Sequence, residues 1–169
     1  MAIFSFPPIA TPQSHTLILG SMPGVISLQK QQYYAHPRNA FWRIMGELLN
    51  FDPQSPYPQR TAALQSAHIA LWDVLQSCSR EGSLDTDIDK DSIVPNDFAK
   101  FLAAHRQIER IFFNGATAET IFRRHVLPEL KDQGEWQLLR LPSTSPAHAA
   151  LSMQEKTRRW RTVVQLFPT

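Results

Sequence analysis

The feature that most constrains this chain is a set of four short apolar segments without regular alternation of apolar and polar residues. The first runs from Thr16 to Gly20 and ends in a glycine, and segments 69–74, 110–114 and 137–141 have the same character. Such runs are typical of strands covered on both faces, as in a parallel sheet. The sequence therefore predicts a buried, mainly parallel, four-stranded sheet.

Helical patterns lie between and after these segments. One apolar stripe at helical spacing comprises Phe41, Ile44, Met45, Leu48 and Leu49. Two further helices are predicted at about 97–105 and 116–125. The last helix is predicted to begin at Ser152, which forms a capping-box pattern with Glu155 ahead of the apolar positions Trp160, Val163, Val164 and Phe167. Strands that alternate with helices indicate an α/β fold, here a three-layer α/β/α sandwich.

The length and composition predict one globular domain over residues 1–169. The chain has 169 residues and is 43% hydrophobic, while domains commonly contain about 100–200 residues. Two irregular stretches are expected, at 51–60 and 77–91. No apolar run approaches the roughly 20 residues needed to span a bilayer, and no secretory signal is recognised. We therefore expect a cytoplasmic protein without membrane contact, and a monomer.

Cysteine and acidic residues limit the possible cofactors. The single cysteine, Cys78, excludes an internal disulfide and a cysteine-ligated zinc or iron–sulfur centre. Asp85, Asp87, Asp89 and Asp91 alternate, but the glycine and distal glutamate of a calcium loop are missing. We expect no metal and no cofactor.

The charge of the chain gives weak support for a nucleic-acid partner. The formal net charge is +2 and the isoelectric point is about 8.9. Arginine, which binds phosphate in a forked geometry, is the commoner basic residue. Lys156, Arg158, Arg159 and Arg161 would form either a solvated helix face or a contact to the DNA backbone.

The order of strands and helices indicates where chemistry is expected. In open α/β sheets, ligands bind outside the carboxyl ends of the strands. The loops that follow Gly20, Asp73, Asn114 and Leu141 are therefore the candidate site. No Walker loop and no G-x-G-x-x-G motif follows the first strand, which argues against a domain for free nucleotides.

Two motifs stand at these positions. The first strand ends in GSMPG, residues 20–24, and YAHPRNAFW follows at residues 34–42. This pair resembles the uracil-DNA glycosylase superfamily, whose mismatch-specific branch has a G-x-N-P-G loop followed by F-A-x-P-x-N-x-F-W. It is most similar to the hypoxanthine-DNA glycosylase branch. The resemblance implies a metal-free DNA base-excision enzyme that acts on a deaminated base.

The resemblance also implies roles for individual residues. Met22 stands where relatives place an Asp or Asn that holds the attacking water, and a thioether cannot do this. In the hypoxanthine branch the catalytic residues are then expected to be Asn39 and Asn114. The base-binding pocket is expected to comprise Gly20, Ser21, Met22, Pro23, Tyr34 and His36, with Tyr34 stacking on the base. Taken alone, Asn39 could be a helix cap and Tyr34 a core aromatic.

A second loop of the superfamily enters the minor groove of DNA beside the extruded nucleotide. Residues 141–148 lie at the matching place, ahead of the capped last helix. The DNA-binding residues are expected to be Ser143, Thr144, Ser145, Pro146 and His148. Small hydroxyl side chains suit phosphate contacts.

The proposed partner is DNA that contains a deaminated base, and three readings remain open for the function. The first is a monofunctional glycosylase that excises hypoxanthine, in which Asn39 positions a water. The second is the same machinery acting on uracil or thymine in mismatches. The third is a DNA-binding homologue without catalysis, which the absence of an acidic residue at Met22 keeps open.

Overall fold

The computed structural model describes residues 1–165, and in this part of the chain seven strands and six α-helices form two sheets with flanking helices. The strands are β1 (Ala2–Phe4), β2 (Thr16–Gly20), β3 (Ile69–Asp73), β4 (Leu75–Ser79), β5 (Val94–Pro95), β6 (Arg110–Asn114) and β7 (Gln137–Leu141). The helices are α1 (Val25–Lys30), α2 (Phe41–Leu49), α3 (Tyr57–Ser66), α4 (Phe98–Ala104), α5 (Ala116–Ile121) and α6 (Met153–Trp160).

The main sheet has the strand order β3-β2-β6-β7, and all neighbouring strands are parallel. Gly20 is level with Asp73, and Asn114 is level with Leu141, so the four carboxyl ends lie along one edge. The chain moves from β3 across β2 to β6, which makes the space between the ends of β2 and β6 the switch point of the sheet. Ligands bind at such points in open α/β sheets.

Each face of the main sheet packs against its own set of helices. Leu17 and Leu19 belong to one apolar cluster, together with residues of α4 and α5. Ile18 faces the opposite side and packs in a second cluster with residues of α2, α3 and α6. The alternation follows from the pleat of a strand, which directs successive side chains to opposite faces. The predicted three-layer α/β/α architecture is confirmed.

The predicted helices are present, with adjusted ends. Helix α2 spans the predicted stripe, and Asp97 caps α4 by accepting a hydrogen bond from the backbone N–H of Lys100. Helix α5 ends at Ile121 and continues as a wider helical turn over Phe122–Val126. Ser152 caps α6. Phe167, assigned to the last helical stripe, lies outside the described residues.

Some elements contradict the expected irregular stretches. Helix α3 begins at Tyr57, inside the region 51–60, with Pro58 in its first turn, a position where proline is tolerated. Strand β4 occupies the start of the region 77–91 and forms a small antiparallel sheet of order β1-β4-β5. These strands are two to five residues long and give little periodic signal. Within residues 1–165, no helix is both long and apolar enough to span a bilayer.

Candidate active site

A pocket of about 520 Å³ lies at the carboxyl ends of the parallel strands, and ligand sites commonly have volumes of about 300–1,000 Å³. Every residue predicted for the site lines it: Gly20, Ser21, Met22, Pro23, Tyr34, His36, Asn39, Asn114, Ser143, Thr144, Ser145, Pro146 and His148. The remaining lining residues include Asp73, Ser83, Asp85 and Gly115. The fold therefore brings the two sequence motifs and the second loop together around one cavity.

Asn39 lies on the pocket wall immediately before helix α2. Its side-chain oxygen accepts a hydrogen bond of 2.9 Å from the backbone N–H of Phe41. The backbone N-cap residue is Ala40 rather than Asn39. The side chain that caps the start of α2 therefore belongs to the residue before the backbone N-cap. This bond fixes the orientation of the amide. A carbonyl oxygen has two lone pairs, so the same atom can also accept a hydrogen bond from a water molecule.

Tyr34 is half-buried and has an unusual backbone conformation. Its φ of 55° lies in the left-handed region, which is unfavourable for residues other than glycine. Its ring stacks on Phe41 with a centroid distance of 4.3 Å and an interplanar angle of 28°. One ring face is thus supported by the core, and Tyr34 also lines the pocket.

The closest packing in the pocket occurs around Gly20. A Cβ atom at this position would lie 2.5 Å from Asp73 Oδ1 and 2.7 Å from the Tyr34 hydroxyl oxygen. Real Cβ atoms do not approach other atoms so closely, so only glycine fits here without displacing a neighbour. The end of β2 thus brings the carboxyl group of Asp73 and the hydroxyl group of Tyr34 into one corner of the pocket.

Asp73 is the site residue that the sequence analysis missed. It is 3% exposed, and within residues 1–165 its Oδ2 atom has no hydrogen-bond partner. Burial raises the pKa of this carboxyl group to about 7, with a further contribution from the charge of Asp85, while Arg80 opposes the shift. The available signal was its position at the carboxyl end of a predicted strand, where functional side chains concentrate.

The Tyr34 hydroxyl in the same corner is also without a hydrogen-bond partner in the described part of the chain. Burial raises the pKa of this hydroxyl, and the neighbouring Asp73 raises it further, while the Asn114 amide opposes both effects. The Asn114 amide, which also bonds to Thr144, lies close enough to this hydroxyl to lower its pKa. The Tyr34 hydroxyl remains protonated and can donate a hydrogen bond.

Asn114 and Thr144 form two hydrogen bonds that connect the end of β6 to the second loop. The Asn114 amide donates to the Thr144 hydroxyl at 2.9 Å, and its oxygen accepts from the Thr144 backbone N–H at 2.9 Å. The Thr144 carbonyl accepts from the backbone N–H of Ala40. Thr144 is only 1% exposed, so its hydroxyl does not fit the expected phosphate contact. Its hydroxyl and backbone groups together connect the second loop to the end of β6 and to the start of α2.

The rest of the second loop is more accessible and is organised by its own side chains. Ser143 Oγ accepts from the Ser145 backbone N–H, and Ser145 Oγ accepts from the Ala147 backbone N–H. Pro146 and His148 are exposed. Gly115, at a φ of 95°, lies directly against Ser143, so the loop packs closely on the start of α5.

The cations of α6 are mostly engaged within the protein. Lys156 is 6% exposed, and its ammonium group donates to the His148 carbonyl at 2.6 Å. Arg158 and Arg159 pair with Glu155, and the hydrogen bonds from these two arginines lower the pKa of the Glu155 carboxyl group to about 2. Lys156 therefore supports the second loop from behind rather than forming a solvated face.

The loop after β4 covers the GSMPG turn. Asp85 accepts a hydrogen bond of 2.7 Å from the Ser21 hydroxyl, and Ser83 Oγ accepts from the backbone N–H of Val25 at 2.9 Å. Arg80 donates to the carbonyls of Pro23 and Gly82. The stretch expected to be irregular therefore forms one wall of the pocket and fixes the conformation of the turn.

The comparison with protein families identifies the class of this protein. The model of the uracil DNA glycosylase superfamily matches residues 7–165, which is nearly the whole chain. The chain belongs to this superfamily and is a DNA glycosylase. The pocket at the strand ends, with the GSMPG turn on one side and the 143–148 loop on another, is its candidate active site.

Individual relatives narrow this assignment. The chain is 35% identical over 159 residues to hypoxanthine DNA glycosylase of Methanosarcina acetivorans, covering 94% of this chain and 95% of that protein. It is 41% identical over 111 residues to hypoxanthine DNA glycosylase of Methanosarcina barkeri, covering 65% and 69% of the two chains. The solution NMR structure of a candidate uracil DNA glycosylase from Methanosarcina acetivorans superimposes with a TM-score of 0.77 at 32% identity, covering 98% of this chain and all of that one.

Proposed function

We propose that this DNA glycosylase hydrolyses the N-glycosidic bond of deoxyinosine in DNA and releases hypoxanthine. The observation that supports this most strongly is that both sequence motifs and the second loop line one pocket of about 520 Å³, large enough for a purine. The two relatives named hypoxanthine DNA glycosylase support the same substrate. We further propose a cytoplasmic enzyme that acts as a monomer.

The base must leave the duplex before it can enter this pocket. Enzymes that act on a base in DNA extrude the nucleotide and stack the base against an aromatic or apolar side chain. We assign the stacking role to Tyr34, whose ring is supported from behind by Phe41. The exposed end of the second loop, at Pro146 and His148, is assigned to the DNA, with Ser143 and Ser145 beside it.

Asn39 is assigned to position the attacking water. Cleavage passes through a sugar with oxocarbenium character, which water captures without a strong base. The hydrogen bond from the Phe41 N–H holds the Asn39 amide in one orientation, so the amide oxygen can direct a water molecule to the anomeric carbon. Asn39 would thus hold the attacking water in place of the Asp or Asn that relatives carry at the position of Met22. We assign Asn114 to hold the second loop in place through Thr144.

The proposed reaction ends with an abasic site. Among the described residues that line the pocket there is no lysine, and the Lys156 ammonium is bonded to the His148 carbonyl. We therefore propose hydrolysis without a Schiff base and without strand cleavage.

Single-turnover release of hypoxanthine from a deoxyinosine-containing duplex tests the proposal. We expect the wild-type protein to release the base and Asn39→Ala to be slower by about 100-fold or more, because the water loses its orientation. Gln59→Ala, which removes an exposed amide outside the pocket, is the matched control and should retain the wild-type rate. Absence of hypoxanthine release by the wild-type protein would contradict the proposal.

Uracil is a second candidate substrate, favoured by the structural similarity to a candidate uracil DNA glycosylase. The same assay with a deoxyuridine-containing duplex separates the two substrates. Faster release of uracil than of hypoxanthine would move the assignment to the uracil activity. Tight DNA binding without release of either base would indicate a binding protein that has lost catalysis.

A further inference from the structure

The carboxyl group of Asp73 and the hydroxyl group of Tyr34 meet in a corner of the pocket beside Gly20, and the proposed mechanism gives neither group a role. Asp73 Oδ2 and the Tyr34 hydroxyl oxygen are both buried without a hydrogen-bond partner among residues 1–165. Buried polar groups are rarely left unpaired, because each has given up its hydrogen bonds to water. Both residues line the pocket, so a ligand can supply the missing partners.

We propose that Asp73, as a neutral carboxylic acid, donates its proton to a ring nitrogen of the departing purine while the glycosidic bond breaks. This inference rests on the proposed hypoxanthine-releasing function. Asp73 would thus be a catalytic residue in addition to Asn39. The Tyr34 hydroxyl, in the same corner beside Gly20, is a further hydrogen-bond donor toward the base.

The surroundings of Asp73 favour the neutral form of its side chain. The carboxyl group is buried, and the charge of Asp85 disfavours ionisation, while the Arg80 guanidinium only partly compensates. The other titratable groups that interact with it are the hydroxyls of Tyr33, Tyr34 and Tyr57, and burial raises the pKa of each of them. Near neutral pH, Asp73 is therefore the group of this set that exchanges a proton.

The proposed step balances in atoms and charge. The C1′–N9 bond breaks, and its electron pair stays with the base. The Asp73 proton moves to a ring nitrogen, so hypoxanthine leaves as a neutral molecule. Water adds its oxygen to C1′ and releases one proton, which returns Asp73 to its acid form. Purines carry basic ring nitrogens at N3 and N7, whereas uracil offers only carbonyl oxygens, so the acid favours release of a purine.

The experiment is the pH dependence of single-turnover hypoxanthine release by the wild-type protein and by Asp73→Asn. The asparagine variant keeps the shape and a hydrogen-bond donor but cannot transfer a proton. We expect it to be about 100-fold slower at pH 6.5, the size typical of general acid catalysis. Above about pH 7 the wild-type rate should fall tenfold per pH unit, and this decrease should be absent in Asp73→Asn. Asp87→Asn, which removes an exposed carboxylate from the short helical turn that begins at Asp85, is the matched control.

Two outcomes would overturn the proposal without affecting the glycosylase assignment. The first is an unchanged rate in Asp73→Asn, or the same decrease above pH 7 in both proteins, which would assign that decrease to another group. The second is a wild-type rate that rises above pH 7, which would indicate that Asp73 acts as a base. Failure of the wild-type protein to release hypoxanthine would instead remove the proposed function itself.

A substrate analogue identifies the atom that accepts the proton. 7-Deaza-2′-deoxyinosine lacks the basic N7, so transfer to N7 predicts that wild-type and Asp73→Asn proteins cleave it at rates within about threefold of each other. Retention of the full difference on this analogue and its loss on the 3-deaza analogue would assign the proton to N3. A full difference on both analogues would contradict proton transfer to a ring nitrogen.

Discussion

Two polar pairs line the same pocket and differ in how their hydrogen bonds are satisfied. The Asn114 amide uses both polar atoms on Thr144, and Thr144 in turn bonds to Ala40. The Asp73 carboxyl and Tyr34 hydroxyl groups, by contrast, each carry an unpartnered buried atom within the described chain. In the first pair, the complete pair, both amide atoms have a partner within the described chain, although each can form one more hydrogen bond. The second pair is incomplete, which is typical of groups that bind or react with a ligand.

The difference shows that residue type alone does not separate framework from chemistry. Asn114, at a strand end, is predicted to be catalytic, and in the structure its amide also holds the second loop. Asp73, at the end of β3, belongs to no recognised motif, yet it has the strongly perturbed carboxyl group of the pocket. Hydrogen-bond partners, visible only in the folded chain, decide between these roles.

We expect the largest effect from Asp73 in the incomplete pair, because its ionisation lowers the free energy of unfolding as the pH rises. The pKa of Asp73 is raised from its ordinary 3.8 to about 7, so its stabilising contribution is complete below about pH 4 and is lost as the pH rises through about 7. By linkage, the loss is at most about 4 kcal/mol. Urea unfolding at pH 4.5 and pH 8 should show this decrease in the wild-type protein but not in Asp73→Asn. An identical pH dependence in the two proteins would show that Asp73 is not the responsible group.

An intermediate effect is expected from a substitution at Gly20, where Asp73 and Tyr34 of the incomplete pair meet. Gly20→Ala places a Cβ atom 2.5 Å from Asp73 Oδ1 and 2.7 Å from the Tyr34 hydroxyl oxygen. Overpacking of this kind costs about 1–3 kcal/mol, and the displaced corner should slow hypoxanthine release by at least tenfold. Unfolding and single-turnover measurements check both effects. Gly82→Ala, at a positive φ with nothing near its Cβ position, controls for the general cost of replacing a loop glycine.

The smallest effect is expected when a hydrogen bond of the complete pair, Asn114 and Thr144, is removed. Thr144→Val removes the hydroxyl that accepts from the Asn114 amide but keeps the size of the buried side chain. The unpaired amide should lower the free energy of unfolding by about 1–2 kcal/mol, and DNA affinity should fall as the second loop loosens. Thr144→Ser keeps the hydroxyl and should bind DNA like the wild-type protein. Equal DNA affinity of the valine variant and the wild type would show that the loop does not depend on this pair.

The sequence predicts the main sheet and the position of the site because both depend on local patterns. Apolar runs such as Thr16–Gly20 specify doubly covered strands, and parallel strands bring their following loops to one edge. Helix α3 and the strands of the small sheet were not predicted because their apolar patterns are weak and short. The burial of Thr144 and the raised pKa of Asp73 depend on contacts between residues far apart in the chain, so no local pattern reveals them.

Thr144 has a mechanical consequence for the encounter with a duplex. Through Thr144, the second loop is connected to the strand end at Asn114 and to the backbone that leads from Asn39 into helix α2. If this loop contacts the minor groove as we propose, a force on the loop would reach the Asn39 amide through these hydrogen bonds. Seating of the duplex and placement of the attacking water are therefore expected to be coupled.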